Sequence, residues 1–398
     1  MNILICSLHF YPETFRINDI SKTLSNDEDL NIYVLTGLPN YPSGKIFKNY
    51  MKITKKWQNN NKIKLIQRTP IFLRGNASSL SLLLNYFSFI FFALIYGFFI
   101  YKNKKIDIIF TYGTSPIFQA IPAIILSKIF SCKSFLWVQD LWPDNLVYIK
   151  DIKNKFILNL INFFVNQIYN FSDVIIAQSK SFKKIIKKRS KNKNIFYIPQ
   201  PAPEIKKYKL KKKNNIFQIL YFGNIGKAQS IETILGISKA LLNKKNIIIY
   251  CLGEGSEKKK MISEKKNNKL KNLKILGYKS GKNFDKLIEK TDILLITMKK
   301  GYGFDSVIPG RLLHYFMINL PIIGAADGEI KKIINNSRSG LCTSAENINA
   351  LSKNIIKYSK LENKAIIKLR KNSYNFFLKN FELKLICNNL MKLFYKFR

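Results

Sequence analysis

Short runs of β-branched and aromatic residues recur along this chain in two series, each run followed by a longer amphipathic stretch. The first series is 2–7, 31–36, 63–67, 106–111, 134–138 and 173–178; the second is 217–222, 246–251, 272–276, 292–297 and 321–324. Runs this short, bounded by polar or turn residues, read as buried strands. Helical stretches such as 16–28 and 116–131 lie between them. Strands alternating with helices imply a parallel sheet covered on both faces. Between the series Pro199, Pro201 and Pro203 break regular structure, and the run KKYKLKKKNN (206–215) reads as solvated linker. The pattern predicts two doubly wound α/β domains facing a cleft. Their bounds are 1–200 and 216–360, joined by a basic linker at 201–215 and followed by a helical segment, 361–398, packing back on the first. Ligands of such sheets bind beyond the carboxyl ends of the strands, so the cleft is the expected site.

That organisation constrains LLLNYFSFIFFALIYGFFIY, residues 82–101, which carries no charge and is followed at once by Lys102, Lys104 and Lys105. Twenty apolar residues in a helix match the ~30 Å hydrocarbon core of a bilayer. Strands expected on either side of the stretch belong to one sheet, which cannot form across a bilayer. A buried core helix is one alternative, since such helices can be apolar all round. The preferred reading is a monotopic helix lying in the cytoplasmic leaflet, its basic end against anionic headgroups. The net charge of +43, from 67 Lys+Arg against 24 Asp+Glu, suits a polyanionic partner. Abundant Lys, Asn and Ile also point to an AT-rich coding bias. Nucleic acid would require aromatics interleaved with the basic runs; 183–193 has none and 206–213 only Tyr208.

Five scattered cysteines and two histidines give no disulfide framework, no zinc site and no histidine-rich metal site. The opening MNILICSLHF lacks a basic leader region and reads as a strand.

The loops after the strands carry the chemistry. SLHFYPETFRIND (7–19) places Glu13, Arg16 and Asn18 between a strand and a helix, where an arginine favours a phosphate or carboxylate, though a capped turn with an exposed ion pair reads equally well. TGLPNYPSGK (36–45) is a rigid, turn-rich loop with Asn40 and Tyr41. WVQDLWPDN (137–145) puts Gln139 and Asp140 at a strand end, with Trp142 able to stack on a sugar and Asp140 also able to cap a helix. In the second half, YFGNIGKAQSIETIL (221–235) is a strand, a glycine turn and a helix. Gly223 and Gly226 allow close backbone approach, and Lys227 faces any bound diphosphate. CLGEGSEKK (251–259) repeats the arrangement with Gly253 and Glu254, suited to a nucleobase or ribose. The stretch 299–330 supplies Asp305 and Ser306, then a helix with Arg311 and His314 on one face. Arg311 near a helix start suits a diphosphate.

YPETFRIND, LTGLPNYPSGK, WVQDLWPDNLV, FGNIGKAQSIETIL, VIPGRLLHYF and IIGAADGEI, in this order and spacing, resemble GT-B glycosyltransferases of family four. The resemblance covers about 1–360 and points to the bacterial branch that builds O-antigen, capsule and colanic-acid-type exopolysaccharide. The likeness is closest to N-acetyl-L-fucosamine transferases. It implies a nucleotide-sugar donor on the C-terminal domain, an acceptor on the N-terminal one, retention of configuration and no required metal. The family's His-Asp pair matches Gln139 and Asp140, so only the aspartate is kept. Its Arg and Lys match Asn224 and Gln229, with Lys227 able to compensate. Its spaced glutamates fall at Ser306 and His314, with Asp305 adjacent, and Glu329 matches the glutamate of the later Gly-rich turn.

These readings give Asp140, Glu13 and Arg16 catalytic roles. They assign the donor to Gly223, Asn224, Lys227, Gln229, Gly253, Glu254, Asp305, Ser306, Arg311, His314 and Glu329. The acceptor side comprises Asn18, Asn40, Tyr41, Gln139 and Trp142. The expected protein is a peripheral enzyme at the cytoplasmic face of the inner membrane, adding one sugar to a polyprenyl-diphosphate-linked saccharide. A nucleotide-sugar 2-epimerase of the same fold is the alternative, but would lack the lipid-facing stretch.

Overall fold

A computed structural model describes residues 1–398 apart from 145, 148–153, 204–207, 209–214 and 302. The chain forms two compact units, Met1–Pro201 with Leu383–Arg398, and Ala202–Glu382. Part of the expected linker 201–215 lies outside the described residues.

The first unit contains strands β1 (Asn2–Cys6), β2 (Asn31–Gly37), β3 (Leu65–Thr69), β4 (Ile108–Gly113), β5 (Lys133–Val138), β6 (Val174–Ala177) and β7 (Ile195–Tyr197). Its helices are α1 (Arg16–Leu24), α2 (Tyr50–Asn60), α3 (Ser79–Tyr101), α4 (Ala120–Ile129), α5 (Lys155–Phe171) and α6 (Lys180–Arg189). The strands form one sheet in the order β3-β2-β1-β4-β5-β6-β7. Every pairing is parallel, with Ile5 opposite Val34 on one side and Phe110 on the other. Both faces are covered, so the strands carry apolar residues at successive positions instead of alternating ones.

The second unit begins with β8 (Phe217–Phe222), α7 (Ile231–Ala240), β9 (Ile247–Leu252), α8 (Lys258–Asn267), β10 (Leu273–Leu276) and α9 (Gly281–Lys290). It continues with β11 (Ile293–Thr297), α10 (Gly310–Ile318), β12 (Ile322–Ala325), α11 (Gly328–Ser337), β13 (Gly340–Thr343), α12 (Ile348–Ser359) and α13 (Asn363–Asn380). Its sheet order is β10-β9-β8-β11-β12-β13, again parallel. In both units the order reverses beside the first strand. That is the topological switch point where such sheets bind ligands.

The segment 361–398 does not act as one piece, a correction to the expectation above. Helix α13 packs on α10 through Phe376 and Phe377, within the second unit. Only the last helix, α14 (Leu383–Phe397), belongs to the first. Its Phe394 ring lies 5.4 Å from Phe110 and 5.1 Å from Phe135. The break falls at Phe381 and Glu382, where α13 ends.

Stretch 82–101 forms the body of α3, capped by Ser78, whose side chain accepts from Ser81 N. It is long and apolar enough to cross a membrane by length and composition. One stripe, Leu82, Asn85, Phe89, Ala93, Gly97 and Tyr101, is buried on the sheet and on α4. At Gly97 an added Cβ would come within 2.5 Å of Leu126 Cδ1, which shows how closely α3 and α4 approach. The rest of α3 is largely solvent-facing, with Phe87 and Phe91 among its exposed residues. The helix is therefore neither free of the sheet nor wholly core.

Candidate active site

The sequence-chosen residues fall at the carboxyl ends of the strands, in two clusters, one in each unit.

In the first unit, Glu13 ends the turn after β1 and is 1% exposed. Its Oε1 accepts from Asn40 N at 2.8 Å and Tyr41 N at 2.7 Å, and its Oε2 lies 2.9 Å from His9 Nδ1. The carboxylate is spent on joining the loops after β1 and β2. Asn18 and Asn40 serve the same framework and are also buried. Asn18 accepts from Tyr11 N and donates to Glu13 O, while Asn40 donates to Leu38 O and accepts from Arg74 N. Arg16 is paired with Asp19 at 2.5 Å, one turn along α1, so its charge is already partnered.

Tyr41 is the member of this group that reaches solvent. Its ring packs against Phe15 and His9, and the Arg74 guanidinium lies 4.9 Å from its centroid. Arg68 on β3 braces the loops from below, donating to Gly37 O, Tyr11 O and Thr54 Oγ1. Burial pulls its pKa down to about 10. His9, Arg68 and Arg74 were not singled out in the sequence. Nothing local marks them, because their partners lie 4 to 57 positions away.

Asp140 follows β5 and is half-buried. Its Oδ2 accepts from both Ser115 N and Ser115 Oγ at 2.9 Å, tying the β4 and β5 loops together. Trp142 Nε1 donates to the same Ser115 hydroxyl at 3.0 Å. The Trp142 ring is buried edge-on against Phe118, so it holds the loop and has no face open for stacking a sugar. Gln139 is buried as well. Its backbone carbonyl accepts from Gln178, and its side-chain Nε2 has no partner among the described residues.

In the second unit, the glycine turns after β8 and β9 interlock. An added Cβ at Gly253 (φ +151°) would lie 1.9 Å from Gly223 O, so no other residue fits that position without moving the turn. Ile225 N donates to Glu254 O at 2.8 Å, and Glu257 N to Ile225 O at 3.0 Å. Gln229 Oε1 accepts from Gly226 N at 3.1 Å, so Gln229 caps the loop. Asn224 and Lys227 project from the turn and are exposed. Lys227 makes no ion pair among the described residues. Glu254 is exposed and paired with Lys258 at 2.7 Å, which holds its carboxyl below the usual range.

Arg311, at the start of α10, turns inward. It donates to Tyr221 OH, to Thr297 O at 3.1 Å and to Met298 Sδ at 3.2 Å. Burial pushes the Tyr221 hydroxyl up, and Arg311 only partly offsets this. Tyr221 OH in turn donates to Asn224 O at 2.5 Å. Arg311, the expected diphosphate clamp, thus braces the glycine turn from beneath. His314 sits edge-on to Phe222, with ring centroids 5.1 Å apart. Asp305 and Ser306 lie in the short turn Phe304–Ser306. That turn rests on Gly328, where a Cβ would approach Asp305 O to 1.9 Å. Glu329 is buried in the first turn of α11.

The arrangement gathers glycine backbone, the exposed Lys227 and the starts of α10 and α11 at the ends of β8, β9, β11 and β12. Such a surface can hold an anionic ligand against backbone amides.

Comparison with known proteins agrees with this geometry. Residues 202–376 match the family described as glycosyl transferases group 1. The probable glycosyltransferase WbjE of Pseudomonas aeruginosa is 24% identical over 258 residues, which is 60% of this chain and 62% of that protein. The chain therefore spans less than two thirds of that relative's length. The whole chain is similar in fold to Anabaena Alr3699/HepE, solved with UDP and glucose: TM-score 0.71, 12% identity, 100% of each chain covered. Sucrose-phosphate synthase from Thermosynechococcus elongatus gives TM-score 0.75 at 13% identity, over 99% of this chain and 98% of the other. The fold is that of GT-B proteins, with two Rossmann-like units.

Proposed function

Starting from the match of residues 202–376 to group 1 glycosyl transferases, we propose that this protein is a retaining glycosyltransferase of surface-polysaccharide (O-antigen, capsule or lipopolysaccharide) biosynthesis. It moves a sugar, of the N-acetyl-L-fucosamine type, from a nucleotide donor to a polyprenyl-diphosphate-linked saccharide. UDP is the favoured nucleotide, because Alr3699/HepE was solved with UDP. The observation that carries the reading is the interlocked pair of glycine turns with exposed, unpaired Lys227 projecting from it.

Departure of a nucleoside diphosphate builds negative charge on its phosphate oxygens. In this reading Lys227 and the amides at the starts of α10 and α11 stabilise that charge. No metal is required in this reading, so chelation should leave turnover unchanged. A retaining front-face displacement needs no separate protein nucleophile. Glu13, being buried and committed, is accordingly not assigned to the chemistry. Asp140 keeps a role at the acceptor hydroxyl. The protein works at the cytoplasmic face of the inner membrane, held there by α3, where the lipid-linked acceptor resides.

The test is incubation of the purified protein with UDP-, GDP- and dTDP-sugars and polyprenyl-diphosphate-linked saccharides, following nucleoside diphosphate release and the anomeric configuration of the product. Acceptor-dependent release with retention is expected. Release with none of these donors would overturn the enzyme reading.

A further inference from the structure

The outward face of the first unit continues α3 into a broader surface. Helices α3, α4, α5 and α6 form one layer, with α4 packed against both α3 and α5, and α5 against α6. Their solvent-facing sides therefore adjoin. On α3 that side shows Phe87 and Phe99, exposed by 66% and 63%; on α4 it shows Ile129; on α5 it shows Phe156 and Phe163, exposed by 76% and 55%. An exposed apolar surface running over three helices exceeds what a soluble monomer ordinarily leaves bare.

Its composition departs from the rest of the chain. With 67 Lys+Arg in the sequence, lysines appear on nearly every helix, yet α3 has none and α5 only Lys155, at its first position. No Asp or Glu occurs anywhere in α3, α4, α5 or α6. Apart from Lys128 in the last turn of α4, which is paired with Asp173, the basic residues sit at the border. Lys183, Lys184, Lys187 and Lys188 are all exposed on α6, while Lys102, Lys104 and Lys105 follow the end of α3. Both α5 and α6 are capped at their N-termini: Asn154 accepts from Phe156 N and Ile157 N, and Ser179 accepts from Phe182 N.

We propose that this whole layer is a lipid-binding face, in which α5 enters the headgroup region of an anionic bilayer beside α3 and α6 holds the headgroups electrostatically. The proposal extends the reading that α3 touches the membrane and rests on it. The choice of occupant follows from charge. An anionic lipid surface satisfies apolar centre and basic border together. A second copy of the chain offers no carboxylates on these four helices to meet the lysines, and its net charge of +43 repels.

The test is co-sedimentation of the full chain with phosphatidylcholine vesicles, with and without phosphatidylglycerol. Three variants are compared: Phe156→Gln/Leu160→Gln/Phe163→Gln/Phe164→Gln in α5, Lys183→Gln/Lys184→Gln/Lys187→Gln/Lys188→Gln in α6, and Phe87→Gln/Phe91→Gln/Phe99→Gln in α3. With thermal unfolding unchanged, the α5 variant should lose about tenfold or more in partitioning to either vesicle. The α6 variant should lose the phosphatidylglycerol-dependent, salt-sensitive part alone. Wild-type partitioning by the α5 variant, with loss in the α3 variant, would overturn the extended face and leave the α3 reading standing. No vesicle binding by the wild type would overturn both. Self-association that the α5 variant abolishes, without vesicle binding, would make a second copy the occupant and refute the proposal. Should the α5 variant fail to fold, the single change Phe163→Cys with an environment-sensitive dye serves instead: a blue shift on anionic vesicles is expected, and its absence refutes insertion of α5.

Discussion

Replacing Glu13 separates a framework carboxylate from a catalytic one. Glu13→Ala removes the acceptor for Asn40 N, Tyr41 N and the His9 ring, with Glu13 and His9 only 1% and 3% exposed. Hydrogen bonds to a charged partner contribute roughly 1.5–3 kcal/mol each. Three that share one carboxylate are not additive, so the value for breaking a buried pair applies, about 3–5 kcal/mol. For a unit of this size each kcal/mol moves Tm by about 2–4 °C, which gives a fall on the order of 10 °C. Glu13→Gln keeps the oxygen facing the two amides at roughly half the strength, and its cost should be about 1–2 kcal/mol. Scanning calorimetry combined with limited proteolysis assigns the shifted transition to the first unit. Turnover by folded Glu13→Gln should stay within a few-fold of wild type. A fold-preserving Glu13→Gln that lost turnover by about 1,000-fold, the scale of a missing catalytic group, would refute the framework argument and restore the catalytic one.

Two further changes separate charge stabilisation from bracing in the second unit. Lys227→Ala should leave Tm unchanged, because the side chain is exposed and unpaired, and should lower kcat by about 100-fold, the effect of losing one donor to a developing anion; unchanged kcat in a donor titration would remove Lys227 from the chemistry. Arg311→Ala should instead lower the Tm of the second unit by leaving Tyr221 OH and Thr297 O without their partner, a cost of about 1–3 kcal/mol, and raise the donor KM more than it lowers kcat. Acid should act on the first unit through Asp173. Burial works to raise its pKa, but the hydrogen bonds from Ser134 N and Oγ and the Lys128 ammonium outweigh it and leave the folded value below the ordinary 3.8. Its stabilisation is therefore complete above that ordinary value and is lost as pH falls through the lower folded one. Ser134→Ala should flatten the acid limb of a Tm-versus-pH series; an unaltered limb would mean that another group carries it.

The parallel sheets and their helices were legible because buried strands and amphipathic helices have distinct lengths and periods. Two strands escaped notice, and both lie at sheet edges. Ile195–Tyr197 has three residues and runs straight into prolines, while Gly340–Thr343 opens on glycine and exposes Leu341. Edge strands are buried less completely, so their hydrophobic signal is short. The loops that carry the site were also found, since glycines, prolines and charges cluster after strands. Roles within them were harder to read. Glu13, Gln229 and Arg311 each looked available in sequence, yet each bonds a neighbour that only the fold brings near. A polar residue facing a ligand and one facing the backbone of the next loop have the same local sequence signature.

The misplaced ends of β3 and β4 point to the same physical cause. Hydrophobicity placed these strands at 63–67 and 106–111, two residues early, whereas the structure runs them to Thr69 and Gly113. Thr69, the last residue of β3, is buried and polar, as are Thr36 beside the end of β2 and Thr297 at the end of β11. Thr36 Oγ1 donates to Leu8 O at 3.3 Å, Thr69 Oγ1 to Thr36 O at 3.4 Å, and Thr297 Oγ1 on β11 to Gln229 O at 2.6 Å. Each hydroxyl holds a neighbouring strand or loop at the end where the site lies. An apolar side chain there would fill the same space and lose that hydrogen bond. The polar ends that blur a strand in the sequence are thus the means by which the sheet fixes its binding loops.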